Sequence, residues 1–313
     1  MALSFLKDLI RSIGVILLVT FSTFALMYGN AEGIARSVLG KQATEEAVQQ
    51  KVIDMGLDRS LVVQYWDWLT SALTGDLGNS FYTSEPVSSA LATRVPITLT
   101  FVLLTLLLAG LIAVVLGVTA AVRGGVTDKL VQFFSVLGTA IPPYIVAIVL
   151  VSLFAVQLRI FPATGYVPPG EDFGLWLQSV TLPVMALLFG AVAGIAAQFR
   201  TATLDTLGKD YVRTARARGI SEREVLFRNV LRNAAAPGLT ALSLTMIGLL
   251  GGSVFIEQVF AVPGMGQLAN EAAKISDIPM VMGTVLVTIL IVLIVNFLGD
   301  LAVAMLNPKA RKR

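Results

Sequence analysis

The sequence predicts an all-α polytopic membrane protein with six transmembrane helices, and three observations carry that expectation. Of its 313 residues 56% are hydrophobic and 14% charged, against about 25% charged in an ordinary soluble domain. The apolar residues lie in six uncharged runs, at 12–31, 95–122, 130–158, 173–199, 233–256 and 278–299. About 20 apolar residues at 1.5 Å each cross a ~30 Å hydrocarbon core, and a backbone in lipid must satisfy itself as helix. Third, the basic residues are distributed unequally. With the N-terminus inside, 16 Lys and Arg fall in cytoplasmic segments and seven in the longer outer ones. The positive-inside rule therefore puts both termini in the cytoplasm.

The first run follows Lys7 and Arg11 and, before Gly29-Asn30-Ala31, resembles a signal peptide. It is longer than the usual ~7–15-residue apolar segment, which favours an uncleaved first helix. Segment 29–94 is a long outer loop. Within it Leu61, Tyr65, Trp68, Leu69 and Ala72 share a helical face, with Gly75 as the stop. Its aromatics suit an interfacial surface helix. The stretch 76–81 reads as turn and irregular chain, and Pro86 as a further break. The second span returns at Arg123-Gly124-Gly125, a tight loop ending at Lys129.

Pro142 and Pro143 in the third span remove backbone bonds and predict a kink, either lining a pathway or shaping packing. Pro162, Gly165, Pro168 and Pro169 force turns in the second outer loop. The fifth span carries Gly248, Gly251, Gly252 and Ser253, small residues that let helices approach. Pro263-Gly264-Met265-Gly266 is a turn-rich outer stretch, and the sixth span ends near Asp300. Glu257 and Asp300 sit at span ends, where they are expected to be hydrated rather than to mark an ion path. No internal repeat or linker divides the chain.

The cytoplasmic loop 200–232 is 33 residues long, far more than a turn requires, and holds eight basic residues. Tyr211, Val212 and Ala215 share one helical face and Arg213 and Arg216 another. Gly219 ends that helix as a left-handed cap. Ser221 and Glu224 have capping-box spacing, so a second helix is expected from Glu222 toward Arg232. Charge alone satisfies topology. The apolar stripe, the glycine and the cap predict in addition a helix corner that buries a face against a cytoplasmic partner protein.

At this loop the chain resembles a known family. Asp210-Tyr211-Val212-Arg213-Thr214-Ala215-Arg216-Ala217-Arg218-Gly219 is similar to the cytoplasmic "EAA" loop of ABC importer permeases, in the dipeptide/oligopeptide/nickel branch. Arg213-Thr214-Ala215 stands where the general pattern has Glu-Ala-Ala, and Pro237 comes late; both departures are similar to the peptide branch. Gly56-Leu57-Asp58 through Tyr65, Gly75-Asp76-Leu77-Gly78, Pro86-Val87, Ile141-Pro142-Pro143, Pro162 through Tyr166, Glu257 through Phe260, Pro263 through Gly266 and Asn307-Pro308 extend the resemblance along nearly the whole chain, toward the first-permease branch.

The resemblance implies a single type I ABC importer transmembrane domain over 1–313, in a bacterial-type inner or plasma membrane. It implies a second homologous permease, two cytoplasmic ATPase subunits, an extracytoplasmic substrate-binding protein and membrane lipid as partners, with no nucleic acid. Tyr211, Val212, Arg213, Thr214, Ala215, Arg216, Gly219, Ser221 and Glu224 would form the ATPase-coupling loop. Pro142, Pro143, Gly251 and Gly252 are candidates for a kink or pathway.

Several classes are excluded or disfavoured. Cys and His are both absent, which removes disulfides, thiol nucleophiles, Cys/His metal sites, His relays and Ser/His hydrolases. No Gly-x-x-x-x-Gly-Lys-[Ser/Thr] phosphate loop occurs, so the chain is expected to be no enzyme and to hold no cofactor, with ATP and Mg on partner subunits. An ion-gradient-driven secondary transporter is the alternative. It would need intramembrane ionisable or broken-helix sites with repeat symmetry, and neither is clear.

Overall fold

The structure, a computed structural model, describes residues 2–29, 31–40 and 42–306. Asn307-Pro308 and the basic residues Lys309, Arg311, Lys312 and Arg313 lie outside the described residues. In chain order the helices are α1 (Ala2–Met27), α2 (Ala31–Leu39), α3 (Glu45–Asp54), α4 (Leu61–Leu73), α5 (Val87–Arg123), α6 (Gly125–Ala140) and α7 (Pro143–Leu150, continued by π-helical Val151–Gln157). There follow α8 (Phe173–Leu207), α9 (Asp210–Ala217), α10 (Glu222–Glu224), a π-helical stretch Val225–Val230, α11 (Leu231–Val259), α12 (Met265–Ile275) and α13 (Ile278–Leu306).

Among the described residues five helices are long and apolar enough to cross a membrane, and a sixth span is counted when α6 and α7 are taken together. That pair is bent by 94°. Pro142, at φ −60° and ψ 139°, leaves the helical region, and Pro143 restarts the helix at its first turn, where a missing N–H costs nothing. The kink expected at the proline pair is thus a break.

The chain packs as two compact units. One comprises 1–97 and 264–293. Here 29–94 is more ordered than a long loop. Ile34 and Ala35 of α2 pack with Val48 and Val52 of α3, and Thr44 caps α3 by accepting from the Ala47 N–H at 3.3 Å. The helix expected around Leu61–Ala72 is α4, but it is not merely interfacial. Tyr65 is buried, its hydroxyl 2.9 Å from Thr20 Oγ1 and its ring edge-on to Phe21 and Phe24. The stretch after α4 is held by Asp277, a buried carboxylate that accepts from Ser80 Oγ and, at 3.2 Å, from the Phe81 N–H. The turn-rich stretch at Pro263 leads into α12, a helix the sequence reading does not contain.

The other unit comprises 98–263 and 294–313, and α8 is its centre, packed against α6, α7 and α11. α5 shows how a lipid-facing helix is built: Leu103, Leu107, Leu111 and Val115 lie exposed at four-residue spacing, while Val102, Ala109 and Ala113 are buried. Water does not drive such helices together in lipid, so close packing must, and small residues permit it. The glycines that do so are not those expected. Nothing lies within 4 Å of a Cβ built on Gly248 or Gly251, and on Gly252 it would meet only Leu187 at 3.9 Å. Instead a Cβ on Gly117 of α5 would sit 2.6 Å from the Ala196 carbonyl oxygen. On Gly138 of α6 it would sit 2.5 Å from the Ala193 Cβ, and on Gly238 of α11 2.2 Å from the Phe199 ring. All three press on α8.

Glu257 also departs from expectation. It is 1% exposed, and its carboxylate accepts from Thr98 Oγ1 at 2.6 Å. A carboxylate at the end of a span need not be hydrated when a neighbouring helix supplies the donor.

Candidate functional site

α8 does not stop at the end of its apolar run. It continues to Leu207, so that 200–207, counted as loop from the sequence, is helix. Gly208 closes it, and Lys209 leads directly into α9. Asp210 in the first turn of α9 and Arg216 in the last complement the helix dipole.

The end of α9 is a Schellman motif. The Gly219 N–H donates to the Arg216 carbonyl at 2.9 Å and the Ile220 N–H to the Ala215 carbonyl at 3.2 Å. Gly219 has φ +77°, as the left-handed cap requires. Ser221 then caps the next helix, its Oγ accepting from the Glu224 N–H at 3.3 Å. The reciprocal half of a capping box is absent, since Glu224 accepts from Arg228 at 3.1 Å instead. The helix that starts at Glu222 does not end at Arg232. It runs through the π-helical stretch into α11, giving one span from Glu222 to Val259.

The corner therefore joins two membrane-spanning helices with one glycine between short arms. Its apolar stripe has a different partner from the one expected. Val212 and Ala215 are buried against Val225 and Val230 of the chain's own following helix, with Leu207, Ile220 and Leu226 around them. Each fully buried Val contributes about 1.5–3 kcal/mol, which holds the corner closed without any second protein. Of the stripe expected to need a partner, Val212 and Ala215 are already covered, while Tyr211, placed on the same face by the sequence pattern, lies exposed.

What α9 leaves outside is its other face. Tyr211, Arg213, Thr214 and Arg216 are exposed, as are Asp210, Ala217 and Arg218. Arg216 forks onto Glu222 across the corner, at 2.8 and 3.0 Å. In so exposed a pair this contributes about 0–1 kcal/mol and chiefly fixes orientation. Partial burial pushes the Tyr211 phenol above its usual range, so it stays neutral. Phe227 is exposed to 61% beside Ser221, Arg223 and Glu224. Sequence patterning does not single it out, since at α-helical spacing Phe227 shares a face with the buried Val230, and the stretch Val225–Val230 is instead π-helical. Pro142 and Pro143 mark the α6–α7 break, while Gly251 is exposed and Gly252 half-buried on α11; the corner and these four positions are separate places on the chain.

Comparison with known proteins agrees with this architecture. The chain is 37% identical over 307 residues to a protein of Brucella abortus (strain 2308) named as a peptide transport system permease, covering 98% of both. It is 32% identical over 314 residues to the oligopeptide transport system permease protein AppB of Bacillus subtilis (strain 168), covering 99% of both. Among solved structures the MetNI methionine ABC transporter, in inward-facing conformations, matches a shared fold. Its TM-score is 0.55 at 19% identity, over 72% of this chain and all of that one. Residues 1–102 match the N-terminal model of binding-protein-dependent transport system membrane components, and residues 113–312 match the model of the inner membrane component itself. With helical spans and the corner at α9 in place, the chain belongs to the family of binding-protein-dependent transport system inner membrane components.

Proposed function

We propose that this chain is a permease subunit of an ATP-driven, type I ABC importer for peptides, forming half of the membrane pathway beside a second homologous permease. The observation that carries the reading is the corner at Gly219. It continues α8 on one side and α11 on the other, so that a push on α9 acts on two membrane-spanning helices at once. Two cytoplasmic ATPase subunits, which bind ATP and Mg, supply that push, and the chain itself is non-catalytic. An extracytoplasmic binding protein delivers the peptide. The membrane is the bacterial inner membrane, with both termini cytoplasmic. The names of the curated relatives support the peptide assignment.

The docking face is the outward one: Asp210, Tyr211, Arg213, Thr214, Ala217 and Arg218. Val212 and Ala215 act beneath it by fixing its orientation. The break at Pro142-Pro143 and the open flank at Gly251 are the places where the pathway would be lined.

The test is reconstitution of the two permeases, the ATPases and the binding protein in proteoliposomes. ATP-dependent peptide uptake is expected, with no ATP hydrolysis by this chain alone. Uptake that persists without ATP and collapses with an ionophore would show a gradient-driven carrier instead.

A further inference from the structure

Three constraints meet on one turn of α8, at residues 196–200. From α5, Gly117 lies so close that a Cβ there would stand 2.6 Å from the Ala196 carbonyl oxygen and 2.9 Å from the Arg200 nitrogen. From α11, Gly238 lies directly under the Phe199 ring. From α6, Asp128 takes both arms of the Arg200 guanidinium: Nε donates to Oδ1, and Nη2 to Oδ2 at 2.7 Å. Gln132 adds a donor to the same carboxylate at 2.8 Å. The two side chains are only 21% and 20% exposed. A planar fork of this kind fixes direction as well as distance, which a lysine cannot do.

The position of this turn gives it leverage. From Arg200 to Leu207 and the start of α9 is about 10 Å of helix, and from Arg200 to Phe173 about 40 Å, at 1.5 Å per residue. A helix held at one turn near one end moves its far end several times further than its near one. Packed interfaces of this density switch between discrete arrangements rather than deform smoothly.

We propose that residues 196–200 are the pivot about which α9 moves α8, and that Asp128 and Arg200 are its positioning residues, determining how much of each ATP-driven stroke becomes transport. This rests on the importer reading above. Arg200 and Asp128 bond to each other, with Gln132 beside them, and not to the exposed face of α9, so ATPase docking and basal hydrolysis should not depend on them.

The experiment uses the complete transporter in proteoliposomes and reads ATPase co-purification, ATP hydrolysis and uptake side by side. Mutations along a coupling network shift coupling by roughly 2- to 30-fold. D128N and R200Q should each lower peptide transported per ATP by that factor, with co-purification and basal hydrolysis unchanged. The D128N/R200Q double variant should be no worse than either single, because both remove one interaction. R200K keeps the charge but loses the fork and should be intermediate; it also guards against a misfolded R200Q. Wild-type transport per ATP in R200K and D128N, additive losses in the double variant, or uptake and hydrolysis falling in parallel would each overturn the pivot. Failure of the wild-type assembly to couple ATP to uptake at all would instead overturn the importer reading.

Discussion

Substitutions at Gly219 separate backbone conformation from space. Its φ is +77°, and a Cβ built there meets no atom within 4 Å. Any cost of replacing it is therefore conformational. Asn enters the left-handed region with little penalty, whereas a β-branched residue resists it. Gly219→Val should carry about 1–3 kcal/mol of strain, and Gly219→Asn a fraction of that. The strain falls on the Schellman bonds from Gly219 to Arg216 and from Ile220 to Ala215, so it is relieved by swinging α9 off its seat. If α9 docks the ATPase subunits as proposed, a surface displaced in this way should lose roughly 5- to 150-fold in affinity for them. The spans, which the corner does not hold together, should insert normally. The assay compares membrane abundance, ATPase co-purification and uptake for Gly219→Asn, Gly219→Ala and Gly219→Val. Losses should increase in that order, in the last two readouts only. Equal losses for Asn and Val would refute a conformational origin, and full uptake by Val would reduce the corner to an ordinary connector.

Three further outcomes follow from the same geometry. Ala215→Asp buries a carboxylate among Val212, Val225 and Val230, at a cost of several kcal/mol, so limited proteolysis should cut 209–221 faster even in the chain without its partners; unchanged cleavage there would argue against an internally closed corner. Gly117→Ala forces a methyl onto the α8 backbone and should cost about 1–3 kcal/mol in detergent melting, whereas Gly251→Ala, with open space, should be neutral or stabilising by up to about 1 kcal/mol; the reverse ranking would contradict the helix packing. Single cysteines in a chain that has none should react with an impermeant thiol reagent from outside at Asp76 and Gly266 but not at Gly125 or Gly208; external labelling at Gly208 would invert the topology and remove the corner from the ATPases.

The elements legible in the sequence are those whose signal is local. The apolar runs, a distortion at the proline pair, the left-handed glycine and the serine cap each depend on a few adjacent residues and each is present, although the kink expected at the prolines is a break. The helices α2, α3 and α12 are short and mixed in composition, so no hydropathy run announces them; α2 and α12 do carry an amphipathic period, which is the signal available, whereas α3 has little of one. The misjudged glycines fail for another reason. Gly248, Gly251 and Gly252 cluster in sequence, but clustering says nothing of which helix lies opposite; Gly117, Gly138 and Gly238 are dispersed over three helices and converge only in space, on α8. Glu257 is similar, since its donor Thr98 is 159 positions away. The apolar stripe of α9 is the most instructive case. Periodicity shows correctly that Val212 and Ala215 are buried, but it cannot show against what. The helix that follows the corner supplies its lid, through Val225 and Val230. The residues that sequence patterning selects as the contact surface thus include its scaffold, and in the proposed function a partner would read the polar face they hold outward. Any variant that weakens coupling from beneath, at Val212 or Ala215, should therefore also loosen the isolated chain, while one that acts on the face itself, at Arg213 or Arg218, should not.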